Sequence, residues 1–471
     1  MSRMKLILCF TSISLILLLC IYRFDQKFQF WTVNNKPAHH VNNPQGLGRP
    51  AVAPQCTPGL PALEGQKVRV SGTKTVLMSA YQEHRTGKRE VRVIAVVLRS
   101  ETVAYRCHFC CRGQPHISEG FNNIHSDHFG FKYGTADIMC PIPSSCETPS
   151  HIAVTSAEDD PEEESEKEFL EVWNQNPKDS FNYNFVVCIS TMFDFTNVLQ
   201  LVQSMEMLKL LGVDRVAIYR TSNSPEVQRI LDYYKKTGFV EVIAWSLSRF
   251  VNVSRDFDPA SGPGDLHYFG QIPALNDCVY RYMYRSKYVA QHDIDELILP
   301  QSVDSWSELL PLLETKYGAD LCYMFENNVF PITANRTPPG SQTLHQESSW
   351  TLVPGVNVLA HLYQEPIIPK TFNWNFKIIF NPRVVFSPSV HGVLSSKRGC
   401  AWIDRSIARM YHTRNPRQPD LTPDQLIYDG RLLSYSDRLI PAVNAVLTES
   451  GLLSVDIMKE SGLDLDKRTN L

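Results

Sequence analysis

The sequence predicts an α/β fold with a parallel sheet, preceded by a small β-rich module and an N-terminal transmembrane helix. Three apolar runs, at 185–190, 215–219 and 240–245, are typical of buried parallel strands. Segments with helical apolar spacing separate them, and Ser224-Pro225 is a typical helix start. Repeated strand–helix–strand units of this length form a parallel sheet with helices on both faces.

Composition argues against two broad classes of protein. The chain has 471 residues, of which 43% are hydrophobic and 10% aromatic, so it is too rich in core-forming side chains to be wholly disordered. Its formal net charge is −3, which argues against a nucleic-acid-binding protein that works through a broad basic field. At about 150 residues per domain, the length allows two or three domains.

Residues 6–23 are predicted to form an uncleaved signal anchor. The stretch from Leu6 to Tyr22 has no charged residue and is just long enough to span a bilayer. A cleaved signal peptide is the alternative, although no small-residue cleavage site follows. Residues 1–5 are then a cytosolic tail, and the proline-containing segment 24–66 is an extended stem.

Two features predict that the rest of the chain lies in an oxidising lumen. Asn252 and Asn335 each begin an N-glycosylation sequon, and such sequons are used in the secretory pathway. Ten of the twelve cysteines follow the anchor, an even number that is compatible with disulfide bonds. The charges that flank the anchor are balanced and do not orient it.

Short alternating strands predict a β-rich module over residues 67–150. Its cysteines are Cys107, Cys110, Cys111, Cys140 and Cys146. A C-x-x-C pair is a common half of a zinc site, but the spacing of the last two cysteines completes the site poorly, which favours disulfide bonds. An acidic linker at 151–180 leads to the main domain at 181–420, and a helical tail occupies 421–471.

Asp293 and Asp295 are the strongest chemical signal in the sequence. They follow the apolar strand 287–292 directly. Two carboxylates at this spacing on an extended chain project to the same side and repel each other unless a cation lies between them. Oxygen ligands suit Mn²⁺ or Mg²⁺, and Asp-x-Asp is the arrangement that nucleotide-sugar transferases use.

Ordered blocks over about residues 180 to 420 resemble glycosyltransferase family 92. The blocks are Cys188-Ile189-Ser190 with Phe193-Asp194, Gly270-Gln271 with Asn276-Asp277-Cys278, Ser286-Lys287-Tyr288-Val289, Asp293-Ile294-Asp295-Glu296 with Pro300, Lys377 to Arg383, Val390-His391-Gly392, and Tyr411-His412-Thr413-Arg414. The last block departs from the His-Tyr-Arg that the family more often shows, so no role is assigned to His412.

The resemblance implies a type II Golgi membrane enzyme with a GT-A-like, Rossmann-like nucleotide-diphospho-sugar transferase domain. Such an enzyme would move a hexose to a glycan acceptor with inversion and with Mn²⁺ (or Mg²⁺). The favoured hexose is galactose, with UDP-galactose as the donor. By this analogy Asp293 and Asp295 bind the metal and the UDP-sugar. Lys377 would help to neutralise the diphosphate, and His391 would complete the metal shell, with a packing or acceptor contact as the alternative for His391.

Inversion also needs a general base, for which the sequence offers two weak candidates. Glu326 follows the strand 321–325, and Asp404 follows Trp402-Ile403. Glu296, next to the acidic pair, is expected to point away from it and to make a structural contact.

Two other classes of function compete with the transferase. A catalytically silent lumenal carbohydrate-binding protein would have the same fold, although an intact acidic pair argues against it. A surface adhesion protein built on the β-rich module is the third class, and it predicts a plasma-membrane location in place of the Golgi. No nucleic-acid partner is expected.

Overall fold

The computed structural model describes the following residues: 56, 66–158, 167–178, 180–334, 336–337, 339, 348–371 and 374–453. The predicted anchor at 6–23, most of the stem, Asn335 and the end of the tail lie outside them. None of the helices within these ranges is both long and apolar enough to cross a membrane. The anchor therefore stays a prediction.

The first part of the described chain folds into a closed β-barrel of seven strands. Its strands, with a short β1 added at one side, are β1 (Val68–Arg69), β2 (Val76–Glu83), β3 (Glu90–Leu98), β4 (Tyr105–Cys111), β5 (Gln114–Ile124), β6 (Tyr133–Pro141), β7 (Pro149–Ser156) and β8 (Leu170–Trp173). The order β2-β3-β6-β5-β4-β7-β8 closes because β8 pairs in parallel with β2. Alternate residues of the strands fill the interior with valine, isoleucine and aromatic side chains.

Three disulfide bonds staple the barrel, as the cysteine pattern favoured. Cys107 on β4 is bonded to Cys140 on β6, and Cys111 is bonded to Cys146. Cys110 is bonded to Cys56, which ties the preceding chain to the barrel wall. Disulfide bonds of this loop length stabilise a fold by about 4 kcal/mol, mainly by constraining the unfolded chain.

The second part of the chain is built on a mixed sheet of nine strands. They are β9 (Tyr183–Met192), β10 (Arg215–Arg220), β11 (Val240–Ala244), β12 (Ser286–Gln291), β13 (Glu296–Pro300), β14 (Cys322–Pro331), β16 (Phe376–Phe380), β19 (Cys400–Trp402) and β20 (Ala408–Arg414). The order is β11-β10-β9-β12-β16-β14-β20-β13, and β19 pairs with β14. The first four strands in this order, β11, β10, β9 and β12, are parallel to one another. Strand β16 is antiparallel to both of its neighbours, β12 and β14.

Helices and the barrel cover the two faces of this sheet. The α-helices among the described residues are α1 (Val198–Leu210), α2 (Pro225–Lys236), α3 (Gln271–Tyr282), α4 (Trp306–Tyr317) and α5 (Ser436–Glu449). One core lies between the sheet and α1, α2, α4 and α5. The other contains α3 and side chains of β2 and β3 from the barrel. Two small ribbons complete the fold: β15 (Tyr363–Gln364) with β21 (Ile427–Tyr428), and β17 (Val385–Ser389) with β18 (Gly392–Ser396).

The predicted α/β class, with its Rossmann-like domain, is wrong. The described chain is dominated by strands, the β-rich module is a closed barrel, and the second sheet is mixed. The predicted strand–helix units from β9 to β11 are present, but among the described residues no α-helix lies between β14 and β16, and β16 runs antiparallel to both of its neighbours. The barrel also continues through β8 into the range 151–180 that the sequence assigns to a linker.

Helix α3 connects the barrel to the sheet through a buried charge. All of its residues are buried, and Cys278 is bonded to Cys188 on β9. Asp277 accepts hydrogen bonds from Tyr81 of the barrel at 2.7 Å and from Tyr219 of β10 at 2.5 Å, and it lies 3.3 Å from the guanidinium of Arg281. One carboxylate therefore joins three elements that are distant in sequence.

Asp277→Asn is expected to lower the free energy of unfolding by about 3 kcal/mol, because it leaves the buried Arg281 short of its nearest anion. Urea unfolding at pH 7 measures this loss. Glu147→Gln is the control, since Glu147 pairs with Arg112 in the open solvent, and a change within about 0.5 kcal/mol is expected there. Equal losses in the two variants would contradict the assignment.

The same carboxylate predicts a pH dependence of stability. Burial raises the pKa of Asp277, but Arg281 and the hydroxyl donors outweigh burial and bring the pKa below its ordinary value of 3.8. A group with a depressed folded-state pKa stabilises the protein above its unfolded pKa, and this contribution is lost as the pH falls through the folded pKa. The stability difference between the wild type and Asp277→Asn should therefore narrow below about pH 4. A difference that stays constant from pH 7 to pH 3 in urea unfolding would refute this prediction.

Candidate functional site

A cavity of about 740 Å³ opens where the parallel strands β9 and β12 end. Its wall is formed by the loop after β9, the start of α3, the turn between β12 and β13, strands β16 and β20, and the turn of the β17–β18 ribbon. The carboxyl ends of parallel strands are a common place for ligands because loops and helix N-termini converge there.

Asp293 and Asp295 lie in the wall of this cavity, in the turn between β12 and β13. Their side chains are 37% and 34% exposed, while that of Glu296 is 3% exposed. The structure thus places the predicted acidic pair at the surface of the cavity and the third carboxylate beneath it.

Lys377 neutralises part of this charge from below. Its ammonium group, on β16, lies 2.9 Å from Oδ2 of Asp293 and 3.4 Å from Oε2 of Glu296. Burial lowers the pKa of Lys377, but the two carboxylates outweigh burial and raise the pKa above its ordinary value. The lysine is therefore a buried, permanently charged partner of the acidic pair.

His412 is the second buried partner, and the sequence left its role open. Strand β20 pairs with β13 so that His412 stands opposite Glu296. Its Nε2 lies 3.1 Å from Oδ2 of Asp295, and its Nδ1 lies 3.5 Å from Oε1 of Glu296. Burial lowers the pKa of His412, but the two carboxylates raise it to a net value above the ordinary one.

Glu296 connects these groups. Its Oε2 accepts a hydrogen bond from the backbone N–H of Asp293 at 2.7 Å, and it lies between Lys377 and His412. Burial raises the pKa of Glu296, but the two cations outweigh burial and lower it, so the carboxylate is ionised. The structural contact expected for Glu296 is present, and it holds the turn that carries the acidic pair.

His391 lines the same cavity from the β17–β18 turn. Its side chain is exposed, and its Nδ1 lies 3.4 Å from the carbonyl oxygen of Phe376. Within the described ranges, no group of three or more His, Cys, Asp or Glu side chains is arranged as a metal site. The metal role of His391 therefore stays a prediction.

The two candidate bases do not line the cavity. Glu326 is buried on β14, with Oε1 3.3 Å from Nε of Arg405. Asp404 is exposed and accepts hydrogen bonds from Ser406. Asn327, the neighbour of Glu326, does line the cavity, because successive residues of a strand face opposite sides. Of the two sequon residues, Asn252 is exposed and Asn335 lies outside the described residues.

Three side chains of the cavity wall, Thr191, Gln271 and Asn327, each have one buried oxygen without a hydrogen-bond partner among the described residues. Gln271 donates to Oγ of Ser190 at 2.9 Å, but its Oε1 and Oγ1 of Thr191 are buried without a hydrogen bond. Buried polar atoms are nearly always satisfied, so these atoms point to a ligand or water. Sequence reasoning flagged the Gly270-Gln271 block but gave no signal for Thr191.

The wall is also strained. Four residues other than glycine, all at or beside the cavity, have left-handed backbone: Thr191 (φ 37°), Asp194 (φ 42°), Tyr268 (φ 32°) and Phe269 (φ 53°). Each such residue costs about 1–3 kcal/mol and tends to occur at functional sites. Gly270 follows at φ 74°, where an added Cβ would lie 2.3 Å from Leu247.

Comparison with known proteins shows the family of the chain. The family model of glycosyltransferase family 92 matches residues 183–439. Two glycosyltransferase family 92 proteins of Caenorhabditis elegans are 29% and 23% identical to the chain over 133 residues, 28% of this chain and 26% of each relative. The alignments thus span about a quarter of the length of these relatives. The matched family segment covers more than half of the chain and contains both aspartates of the cavity, and the chain therefore belongs to glycosyltransferase family 92.

Proposed function

We propose that the chain is a glycosyltransferase that moves a hexose from a UDP-sugar to a glycan acceptor. The donor we favour is UDP-galactose, and we propose a metal-dependent reaction with inversion. The observation that carries the proposal is a pair of partly exposed carboxylates, Asp293 and Asp295, in a large cavity of a family 92 domain.

The acidic pair has the donor atoms that a divalent cation needs. Oδ2 of Asp293 accepts a hydrogen bond from Lys377, and Oδ2 of Asp295 accepts one from His412. The Oδ1 atom of each aspartate accepts no hydrogen bond from the described part of the chain. Three carboxylates face one lysine and one histidine, so this network retains a negative charge even when His412 is protonated. Asp293 and Asp295 would hold Mn²⁺ (or Mg²⁺), which when bound supplies a Lewis acid for the departing diphosphate.

The other side chains of the cavity suit a nucleotide sugar. Arg414 and Lys377 both line the cavity. The guanidinium group of an arginine recognises phosphate well. The unpartnered oxygens of Thr191 and Gln271 would accept hydrogen bonds from hydroxyl groups of the nucleotide sugar or from the N–H group of its uracil ring. Glu326 and Asp404 are not assigned as the base, because neither lines the cavity.

We also propose a single-pass type II protein of the Golgi membrane with a lumenal catalytic domain. Four disulfide bonds and an exposed Asn252 support an oxidising, glycosylating compartment. Fluorescence microscopy of the tagged full chain beside a Golgi marker tests this location.

Asp293→Asn and Asp295→Asn are each expected to reduce Mn²⁺-dependent hydrolysis of UDP-galactose by about 100-fold, because the cation loses a charged ligand. Release of UDP measures the rate. Asp404→Asn, the same substitution at an exposed aspartate outside the cavity, should stay within about 2-fold of the wild type. Glycan binding without UDP-sugar hydrolysis in the wild type would favour the silent carbohydrate-binding protein instead.

Lys377→Met is expected to weaken UDP binding in the presence of Mn²⁺ by about 10-fold to 100-fold, as for loss of a group that orients metal ligands. The change keeps the volume but leaves Asp293 without a cation and Glu296 with His412 alone. Isothermal titration calorimetry measures the affinity. Lys287→Met, at an exposed lysine of β12, is the matched control and should bind UDP as the wild type does. Unchanged affinity in Lys377→Met would refute the role given to Lys377.

A further inference from the structure

We propose that Phe257, stacked on Tyr268 at the mouth of the cavity, is the platform on which a neutral sugar ring of the acceptor glycan binds. This inference rests on the proposed function and assigns the side of the cavity from which the acceptor enters.

Phe257 is an unusually open aromatic side chain for a cavity wall. It is 50% exposed and lines the cavity, and its ring stacks on that of Tyr268 with centroids 4.1 Å apart and an angle of 19° between the planes. One face of Phe257 is therefore packed on the protein. An aromatic face left open to solvent costs free energy that a bound apolar surface recovers.

Tyr268 places this platform beside the reaction centre. Tyr268 lines the same cavity as Asp293 and Asp295. Phe193 packs edge-on against the ring of Tyr268 at 5.2 Å and holds it in place. A sugar ring on Phe257 would thus lie next to the groups proposed to bind the donor diphosphate.

The barrel supports the same wall from behind. Phe129, in the turn between β5 and β6, stacks on the buried His267 at 4.3 Å, and His267 contacts Phe257 at 5.8 Å. Asp127 of the same turn accepts a hydrogen bond from Ser389, next to the turn that carries His391. The platform is therefore backed by packed side chains of another sheet and does not depend on its own loop alone.

The charges around Phe257 favour a neutral sugar over a nucleotide or an acidic sugar. Asp256 and Asp258 flank it in sequence, and Asp256 accepts a hydrogen bond from the backbone N–H of Phe257 at 2.7 Å. The neighbouring Arg255 is already paired with Asp194. Carboxylates repel phosphate and sialic acid but accept hydrogen bonds from hydroxyl groups, while C–H groups of a sugar ring carry the partial positive charge that an aromatic face attracts.

Phe257→Ala tests the platform in the full chain. With UDP-galactose and Mn²⁺, the KM for a neutral oligosaccharide acceptor is expected to rise about 10-fold, as for the loss of about 1.4 kcal/mol of binding. The KM for UDP-galactose is measured in parallel, and the rise in the acceptor KM is expected to be the larger of the two. Phe257→Trp should restore the acceptor KM. Phe121→Ala is the matched control, since Phe121 is 59% exposed on β5 and does not line the cavity.

A second measurement separates this inference from the proposed function. Labelled wild type and Phe257→Ala are applied to an array of neutral, sialylated and sulfated oligosaccharides, a readout that needs no catalysis. Preferential binding of neutral glycans by the wild type, lost in Phe257→Ala, supports the platform even if no donor is hydrolysed. Equal binding by both variants, a preference for acidic glycans, or no glycan binding by the wild type would overturn it. Absence of donor hydrolysis in the wild type would contradict the proposed transferase instead.

Discussion

The site depends on the buried carboxylate of Glu296. Two repelling aspartates in a short turn are unstable unless something holds the turn and offsets their charge, and Glu296 does both. It binds the backbone of Asp293 and recruits Lys377 from β16 and His412 from β20. The antiparallel pairing of β13 with β20 brings the histidine there. The acidic pair can therefore face the cavity and stay partly exposed, because the buried side chains of Lys377 and His412 offset its charge.

The barrel supports the cavity of the mixed sheet from outside, although none of the described barrel residues lines it. Helix α3 begins at the cavity with Gln271 and is buried between the two sheets, where Asp277 binds hydroxyl groups from both. Behind the cavity wall, the turn between β5 and β6 packs against the buried His267. The barrel thus supports the wall that begins α3. The sequence predicts the β-rich module as a separate unit, whereas in the structure the barrel packs against the wall of the site.

The predicted and observed architectures differ for a physical reason. Local pattern is strong in β9 to β12, where continuous apolar runs alternate with helices, and there strands and parallel pairing agree with expectation. Barrel closure depends on β8, four residues that follow an acidic stretch and pair with β2 some ninety residues earlier in the chain. Pairing over such a distance leaves no local trace, because periodicity reports which face is buried and not which strand lies beside it.

By itself, the sequence determined the acidic pair at a strand end, the use of cysteines as disulfide bonds and the family. These depend on residue type and order, which are local properties. Only the tertiary structure decided that the buried Lys377 and His412 offset the charge of the pair. It also decided that Glu326 and Asp404 do not line the cavity, and that the exposed ring of Phe257 does. Each of these depends on which distant strand or loop packs nearby, and long-range pairing is settled by burial and register over the whole fold.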